Sequence, residues 1–518
     1  MGGLALNRRD LLRGGASASL GALFGHAPAS HTALAAAPPA APVPGPFDGA
    51  TVRRLAQTLA KQPHRAPPTD LPGPLDALTY DQYSAIRPLP ERALWADRDL
   101  PFQVQFFPRG YLFRPAVDIF EVADGQAARV PYAPDAFEYP DPAMRVPDPL
   151  GFAGLRVHAR INRPDRFDEV AVFLGASYFR AVAKDQAYGL SGRGLAIGTG
   201  NPRGEEFARF RAFWLERPQP GARSLVVHAL LDGPSVAGAY RFGVRPGETT
   251  VFDVESVLYP RADIDEPGIA PLTSMYLFGP KDRRRAEDWR PAVHDSDGLF
   301  VWNGAGERLW RPLTNPAELQ VSAFADAGPH GFGLMQRRRA FADFQDLELQ
   351  YGKRPALWVE PTGDWGPGAV QLVEIPTPDE NNDNIVAFWR PRERLNAAGE
   401  YLYTYRLHWG RDAPDAGALA RVADTRSGAG GAKGGLVFVL DFVGEPVKGL
   451  APDAAVRPEI AASTGEIADV FSVPNPETGG WRVSFELRPG GAKVAELRCV
   501  LVGERGPLSE TWLYRWTP

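Results

Sequence analysis

The chain has 518 residues, of which 44% are hydrophobic, and this composition is typical of a soluble globular protein. Its formal charge of −5 at pH 7 gives no reason to expect nucleic acid or an anionic membrane surface as a partner, and it is compatible with a neutral substrate. No apolar run approaches the ~20 residues that span a bilayer, so we expect no stable membrane insertion. The 54 glycines and 51 prolines imply many turns and favour short strands over long helices.

The N-terminus contains the three parts of an export signal in order. Arg8 and Arg9 precede two leucines, a mild apolar stretch occupies residues 16–24, and Ala33-Leu34-Ala35 supplies small residues for cleavage. This order resembles a twin-arginine signal peptide. We therefore predict that residues 1–37 are a cleaved signal peptide and that the protein is exported to the periplasm by the twin-arginine pathway.

The mature chain begins with an Ala- and Pro-rich linker at residues 36–46. The apolar positions that follow share one face of a short predicted helix: Val52, Leu55, Ala56 and Leu59. Strand signals dominate after it. One later segment is an exception, because its apolar residues recur every three or four positions and predict a second helix that Gly352 would end: Phe341, Phe344, Leu347 and Tyr351.

Residues 401–409 alternate strictly between two sets of side chains, as a half-buried strand does. The turn-rich segment Arg411–Gly417 follows, and well-spaced short strands come after it. We therefore predict an all-β protein with a large β-sandwich domain at residues 38–410. A smaller immunoglobulin-like β-sandwich is predicted at residues 411–518. The single cysteine, Cys499, lies in an apolar strand-like run and is predicted to be buried and inert.

Aromatic and acidic residues gather in one part of the sequence. Seven of the twelve tryptophans lie between residues 289 and 409, together with the polar runs at residues 294–298 and 378–384. Aromatic faces stack on sugar rings while carboxylates and amides bind hydroxyl groups, so the combination indicates a carbohydrate cleft. The alternative is that the tryptophans fill the core of a large sandwich.

Glycosidic cleavage usually needs two carboxyl groups, one as acid and one as base or nucleophile. The two polar runs offer five candidates: Asp295, Asp297, Asp379, Glu380 and Asp383. A competing interpretation is calcium binding by the same carboxylates, although neither run has the full calcium-loop spacing. The histidines lack zinc-ligand spacing and no Gly-x-Ser-x-Gly is present, so we expect no metal and no cofactor.

Longer stretches carry a family resemblance. They include residues 273–279 with 290–299 (TSMYLFG, RPAVHDSDGL), residues 171–180 (AVFLGASYFR), residues 302–313 (WNGAGERLWRPL) and residues 373–389 (VEIPTPDENNDNIVAFW). These segments resemble the periplasmic glucan biosynthesis protein family (MdoG/OpgG and its paralogue OpgD). The twin arginine favours the OpgD branch. Asn381 departs from the threonine expected there.

The resemblance implies a galactose-mutarotase-like sandwich followed by an immunoglobulin-like domain. It implies a role in making osmoregulated periplasmic glucans, with inverting endo-β-1,2-glucanase or related transglycosylase activity on β-1,2-glucan. It places the catalytic carboxylates at Asp295 and Asp383, for which we predict acid and base roles respectively, and Glu380 and Tyr351 on the reaction path. A homodimer is a family-level expectation.

We add neighbouring polar and aromatic residues as candidates for substrate binding or the proton path: His294, Asp297, Trp302, Trp358, Trp365 and Trp389. A non-catalytic glucan-binding or assembly factor would share all of these features except a competent acid–base pair. A sugar epimerase or mutarotase is a third possibility, suggested by fold analogy alone.

Overall fold

The computed structural model describes residues 42–146, 149–282, 287–415, 417–431 and 434–518. The predicted signal peptide lies outside these residues. Within them, no helix is long and apolar enough to cross a membrane. Strands dominate, and four short α-helices accompany them: α1 (Thr51–Ala60), α2 (Gly73–Asp76), α3 (Tyr80–Ser84) and α4 (Phe341–Phe344). The all-β prediction is therefore confirmed.

The first 26 strands run in chain order up to residue 410. They are β1 (Gly45–Pro46), β2 (Arg87–Pro88), β3 (Phe102–Pro108), β4 (Asp118–Ala123), β5 (Gln126–Arg129), β6 (Phe137–Glu138), β7 (Phe152–Ala159), β8 (Asp168–Leu174), β9 (Tyr178–Ala181), β10 (Ser191–Arg193), β11 (Leu195–Ile197), β12 (Arg209–Glu216), β13 (Leu225–Asp232), β14 (Val236–Arg245), β15 (Thr250–Pro260), β16 (Pro267–Ser274), β17 (Tyr276–Phe278), β18 (Val293–His294), β19 (Gly298–Trp302), β20 (Arg308–Pro312), β21 (Gln320–Asp326), β22 (Gly331–Met335), β23 (Ala356–Thr362), β24 (Gly368–Glu374), β25 (Ile385–Pro391) and β26 (Tyr401–Gly410).

Two large sheets organise these strands. Sheet 1 has the order β1-β5-β4-β12-β13-β14-β15-β26-β23-β22-β19-β20, and sheet 2 has the order β21-β24-β25-β16-β10-β9-β8-β7-β3, with β11 pairing β16. Alternate residues of both sheets enter one hydrophobic core. Leu407 and Trp409 of β26 and Leu372 and Trp389 of sheet 2 belong to it. This face-to-face burial is what makes the two sheets a sandwich.

The outer face of sheet 2 carries the complementary set of side chains. Val373, Val386 and Phe388 alternate with the core residues and form a separate small cluster. On β9, Phe179 points into the core, so Arg180 points outward. This outer face matters because it supports the functional residues described below.

The C-terminal strands form a second sandwich. They are β27 (Arg421–Ala429), β28 (Leu436–Val443), β29 (Arg457–Ala462), β30 (Glu466–Asn475), β31 (Gly480–Arg488), β32 (Ala495–Gly503), β33 (Gly506–Pro507) and β34 (Thr511–Trp516). The sheet β27-β28-β31-β30 packs on β32 and β34 around a core that includes Phe438, Phe485 and Trp512. Cys499 is fully buried in this core, as predicted, and burial raises the pKa of its thiol to about 12.

Sheet 1 does not end at the predicted domain boundary. β34 pairs in parallel with β20 through Leu309–Thr511 and Trp310–Trp512, so β34, β32 and β29 continue sheet 1 into the C-terminal sandwich. The segment between β26 and β27 is irregular, where the sequence predicted a turn-rich connection. The division at residue 410 stays a prediction. Strand β26 ends there, but the hydrogen bonding of sheet 1 continues into the C-terminal sandwich.

The first predicted helix is confirmed and the second is wrong. In α1, Val52, Ala56 and Leu59 are buried against the outer face of sheet 1. The helix α4 ends after one turn because Gln345 adopts a left-handed conformation with φ of 55°. Phe344 and Tyr351 are buried, whereas 59% of Phe341 and 77% of Leu347 are exposed, so the spaced apolar residues do not share one face.

Candidate functional site

Asp295 follows the short strand β18, where its backbone N–H donates to the carbonyl of Met275 at 2.8 Å. The residue is only 5% exposed. Arg354, two residues before β23, donates from its guanidinium group to the Asp295 carboxylate, and both side chains are almost fully buried. The buried carboxylate is therefore held by a charge-assisted hydrogen bond in a fixed orientation.

Asp383 lies in the loop that joins β24 and β25 of sheet 2. The next residue, Asn384, fastens this loop to the segment that leads to Asp295. Its side-chain amide donates to the carbonyls of Tyr276 and Ile375, both at 3.0 Å, and its oxygen accepts the N–H of Tyr276 at 2.8 Å. One buried asparagine thus brings together two loops that are distant along the chain.

The Asp383 carboxyl is in an unusual environment. The residue is half-buried as a whole, but its Oδ2 is shielded from solvent and has no hydrogen-bond partner among the described residues. The pKa of Asp383 is raised to about 6, mainly because of burial, and the negative charge of Asp295 contributes in the same direction. The cations Arg180, Arg354 and Arg193 act in the opposite direction.

Backbone hydrogen bonds bring the two loops to one region, because the N–H of Asp295 donates to Met275 at 2.8 Å and the N–H of Asn384 donates to Ser274 at 3.1 Å. Arg354 interacts with both carboxylates, as an ion-pair partner of Asp295 and as a nearby charge for Asp383. Arg180 reaches the same region from the outer face of sheet 2, where its Nε donates to Ser191 Oγ at 2.6 Å. The site therefore lies at one end of the outer face of sheet 2.

Tyr351 and Glu380 extend the network from Asp295. The ring of the fully buried Tyr351 lies under the Arg354 guanidinium, 4.3 Å from its carbon to the ring centroid. The Tyr351 hydroxyl donates to Glu380 Oε2 at 3.0 Å, and Arg290 Nη1 reaches the same oxygen at 2.7 Å. A continuous chain of contacts therefore joins Asp295 to Glu380.

His294 is next to Asp295 in sequence but has a different role. It is fully buried between the rings of Tyr276 and Phe344, with centroid distances of 5.4 and 5.1 Å. Neither ring nitrogen has a hydrogen-bond partner among the described residues, and burial lowers the pKa of His294 to about 3. The imidazole is neutral at physiological pH and acts as packing for the loop.

Asp297 does not join the acid pair. Its carboxylate accepts the backbone N–H groups of Arg337 and Arg338 at 3.1 to 3.2 Å, and burial raises its pKa. The same two arginines bind the C-terminal sandwich, because Arg337 pairs with Glu510 and Arg338 pairs with Asp424. Asp297 thus helps to hold the two sandwiches together. We call the five residues at this contact the junction cluster (Asp297, Arg337, Arg338, Asp424 and Glu510).

The four candidate tryptophans are not at the acid pair. Trp389 is fully buried in the main core, so its ring faces no cleft. Trp302, Trp358 and Trp365 line a separate cavity of about 430 Å³ with His330 and Glu360. Trp302 is at the far end of the five-residue strand β19 from Asp295, and the four steps along this strand separate its ends by ~13 Å.

The remaining carboxylates and possible metal ligands are dispersed. Asp379 accepts the backbone N–H of Asn381 at 2.8 Å, and Asp295 and Glu380 are bound by arginines. No group of three or more His, Cys, Asp or Glu residues in the described ranges could hold a metal ion. The calcium interpretation of these runs therefore has no support in the geometry.

The arginines of the site were not predicted from the sequence. Arg180, Arg290 and Arg354 contribute the positive charge of the site, yet their partners lie on other strands and loops. Which groups surround each arginine depends on the order of the strands in the sheets. The available signals were Arg180 at the end of the family-like stretch AVFLGASYFR and Arg290 at the start of RPAVHDSDGL.

Comparison with known proteins defines the class to which this β-sandwich and its buried acid pair belong. The family model described as "Periplasmic glucan biosynthesis protein, MdoG" matches residues 47–516. The chain therefore belongs to that family, and the family resemblance recognised in the sequence is confirmed.

Individual relatives agree. The chain is 58% identical over 476 residues to the glucans biosynthesis protein G of Rhodopseudomonas palustris strain BisA53, covering 92% of this chain and 94% of the relative. It is 52% identical over 514 residues to the protein of the same name from Bradyrhizobium diazoefficiens, covering 99% and 100%. These relatives bear the G name, and the expected OpgD placement stays a prediction.

A solved structure titled as a galactose mutarotase related enzyme from Lactobacillus acidophilus matches with a TM-score of 0.21 and 9% identity. The match covers 45% of this chain and 95% of that one. A likeness of this size carries no conclusion about fold, so the mutarotase-like description rests on the family resemblance.

Proposed function

We propose that this protein cleaves the β-1,2-glucan backbone of osmoregulated periplasmic glucans with inversion, as an endo-β-1,2-glucanase or a related transglycosylase. The observation that carries the proposal is the coupled pair of Asp295 and Asp383. Glycosidic cleavage requires two carboxyl groups in one region, with one environment that favours the protonated form and another that favours the ionised form.

The environments favour Asp383 as the general acid and Asp295 as the general base. Asp383 has a shielded oxygen without a partner among the described residues and a pKa raised to about 6, so about half of it carries a proton at pH 6 and about one-tenth at pH 7. Asp295 is in contact with the Arg354 guanidinium, which supports a carboxylate. This order is the reverse of the one predicted from sequence.

In this mechanism Asp383 donates its proton to the leaving glycosidic oxygen. Asp295 accepts a proton from the attacking water, either directly or through intervening groups. Tyr351 and Glu380 form a hydrogen-bonded pair next to Arg354 and are suited to orient that water. If a sugar hydroxyl replaced the water, the same two carboxyl groups would perform transglycosylation.

The family assignment supports the cellular setting of the proposal. A periplasmic glucan biosynthesis role fits a neutral, hydroxyl-rich substrate and the acidic chain. Export of the folded protein by the twin-arginine pathway and assembly into a homodimer remain parts of the proposal that rest on the sequence signal and the family resemblance.

The direct test is incubation of linear β-1,2-glucan with the mature protein and with its Asp295→Asn and Asp383→Asn variants, followed by analysis of chain lengths. We expect shorter chains, or rings for a transglycosylase, with the natural protein and loss of at least ~100-fold in rate with each variant. Circular dichroism checks that both variants fold. Full activity in either variant would refute the assignment.

The same experiment identifies the alternative. A glucan-binding or assembly factor would leave the chain lengths unchanged while retaining affinity for the glucan.

A further inference from the structure

A second large cavity lies where the end of β34 meets the loops of the first sandwich. Its volume is about 640 Å³, which is within the range of small-molecule and sugar sites. None of Asp295, Asp383, Glu380 or Tyr351 lines it. We call it the C-terminal cavity and define it by Lys281, Thr314, Asn315, Gln320, Tyr514 and Trp516.

Aromatic side chains form one wall of this cavity. Tyr514 and Trp516 are two residues apart on β34 and therefore point to the same face of the strand. Both are half-buried, so part of each ring remains accessible. β34 pairs with β20 only at Thr511 and Trp512, so its last residues have no strand pairing on that side. Both side chains pack against the C-terminal core, where the Tyr514 ring centroid lies 5.2 Å from that of Phe438, and both also line the cavity.

Polar side chains from the first sandwich form the opposite wall. Gln320 is 8% exposed, and its amide oxygen has no hydrogen-bond partner among the described residues. Thr314 and Asn315 lie beside it. A buried amide without a partner costs free energy unless water or a ligand satisfies it. Gln320 is therefore suited to bind a hydroxyl group.

Three cations line the cavity, Lys281, Lys493 and Arg515, and the first and last of them are paired within the protein. Lys281 Nζ donates to Asp282 at 2.7 Å and to the Tyr276 hydroxyl at 3.0 Å. Arg515 pairs with Glu496 at 3.3 Å. The aromatic rings, amides and hydroxyl groups, together with the pairing of two of the three cations, favour a neutral ligand rich in hydroxyl groups over an anion.

We propose that the C-terminal cavity binds a short segment of glucan as a second, non-catalytic site. The choice of glucan as ligand rests on the proposed function, whereas the cavity's preference for a neutral saccharide rests on its own residues. A chain held there would keep one part of a long polymer attached while another part occupies the acid pair.

The walls of the cavity also contact both catalytic loops. Asn315 exchanges two hydrogen bonds with the backbone of Thr377, at 2.9 and 3.0 Å, at the base of the loop that carries Asp383. Lys281 binds the hydroxyl of Tyr276, whose ring stacks on His294 beside Asp295. The cavity is therefore behind the catalytic site, and a ligand there would contact residues that support it.

The test measures binding in the absence of cleavage. Titration calorimetry of the Asp383→Asn variant with linear β-1,2-glucan oligosaccharides should give two sites per chain. Adding Trp516→Ala should reduce the stoichiometry to one, and adding Gln320→Leu should weaken the second site at least ~10-fold, because a buried polar partner is removed. Phe471→Ala, an exposed aromatic change on β30 of the same sandwich, serves as the matched control and should keep both sites.

The outcomes separate this inference from the proposed function. One site that Trp516→Ala leaves intact, or two sites that survive both cavity variants, would overturn the inference. One site that Trp516→Ala removes would support the cavity and count against glucan binding at the acid pair. If Trp516→Ala lowers the melting temperature, Gln320→Leu decides the question, since it keeps the size of the side chain.

Discussion

The acid pair and the junction cluster are both built from buried carboxylates and arginines, yet they differ in how far their polar groups are satisfied. At the junction cluster, Glu510 accepts both Arg337 nitrogens and the N–H of Val422, and Asp297 accepts two backbone N–H groups. At the acid pair, Asp383 Oδ2 has no hydrogen-bond partner among the described residues. Satisfied charges hold the two sandwiches together, whereas an unsatisfied one is available for chemistry.

The contrast is sharpest between Asp295 and Asp297, which are two residues apart in one motif. The first faces Arg354 and Asp383, and the second holds the backbone of residues 337 and 338. A short motif can thus supply one aspartate to the proposed reaction site and another to a structural joint. Composition alone does not tell the two aspartates apart.

The largest expected effect comes from Arg354→Ala. Removing the guanidinium leaves Asp295 buried without its partner, which should lower the free energy of unfolding by ~3–5 kcal/mol. Cleavage should fall ~100-fold or more, since a misplaced base loses its catalytic contribution. Urea unfolding and glucan cleavage measure the two effects.

A surface pair provides the control for this variant. Arg245 binds Asp253 at 3.0 Å with both side chains more than one-third exposed, so Arg245→Ala should change stability by less than ~1 kcal/mol. Equal losses in both variants would show that burial of the Arg354–Asp295 pair does not matter.

Arg337→Ala should reproduce the stability loss without the loss of activity. It breaks the buried pair with Glu510 and removes the guanidinium from the Trp310 ring, 3.5 Å from its centroid. We expect ~3–5 kcal/mol lower stability and a cleavage rate per folded molecule within twofold of the natural protein. A rate loss as large as that of Arg354→Ala, measured where both variants are folded, would remove the distinction between the two regions.

Tyr351→Phe should have the smallest effect of the three. It deletes one hydroxyl that donates to Glu380 at 3.0 Å, while Arg290 still binds the same carboxylate oxygen. Stability should fall by ~0.5–1.5 kcal/mol, and cleavage should slow ~10-fold if the hydroxyl orients the water. An unchanged cleavage rate at saturating glucan would take Tyr351 off the reaction path.

Much of the fold was predictable because strand periodicity is local. The alternation of Tyr401 to Trp409 corresponds to β26, in which Tyr403, Tyr405, Leu407 and Trp409 are buried. The absence of a continuous helix through Tyr351 was not predictable. Gln345 and Gln350 adopt left-handed backbone conformations, which divide the segment into separate turns. Apolar spacing does not reveal such a break.

The site was only partly predictable for a different reason. Asp295 and Asp383 stood out through a family resemblance, but their arginine partners depend on strand order. The prediction that four tryptophans lie beside the carboxylates was wrong. Trp389 fills the core, while Trp302, Trp358 and Trp365 line another cavity. Sequence proximity to the carboxylates did not mean proximity in space.

The pH dependence of glucan cleavage tests the central claim most directly. A general acid acts in its protonated form, and the pKa of Asp383 is raised to about 6, so that form is lost as pH rises through this value. We predict that kcat/KM for glucan cleavage, which reports the pKa values of the free enzyme, is high below pH 6 and decreases toward tenfold per pH unit above it. A kcat/KM that stays constant or increases between pH 5 and pH 8 would contradict Asp383 as the acid of the pair.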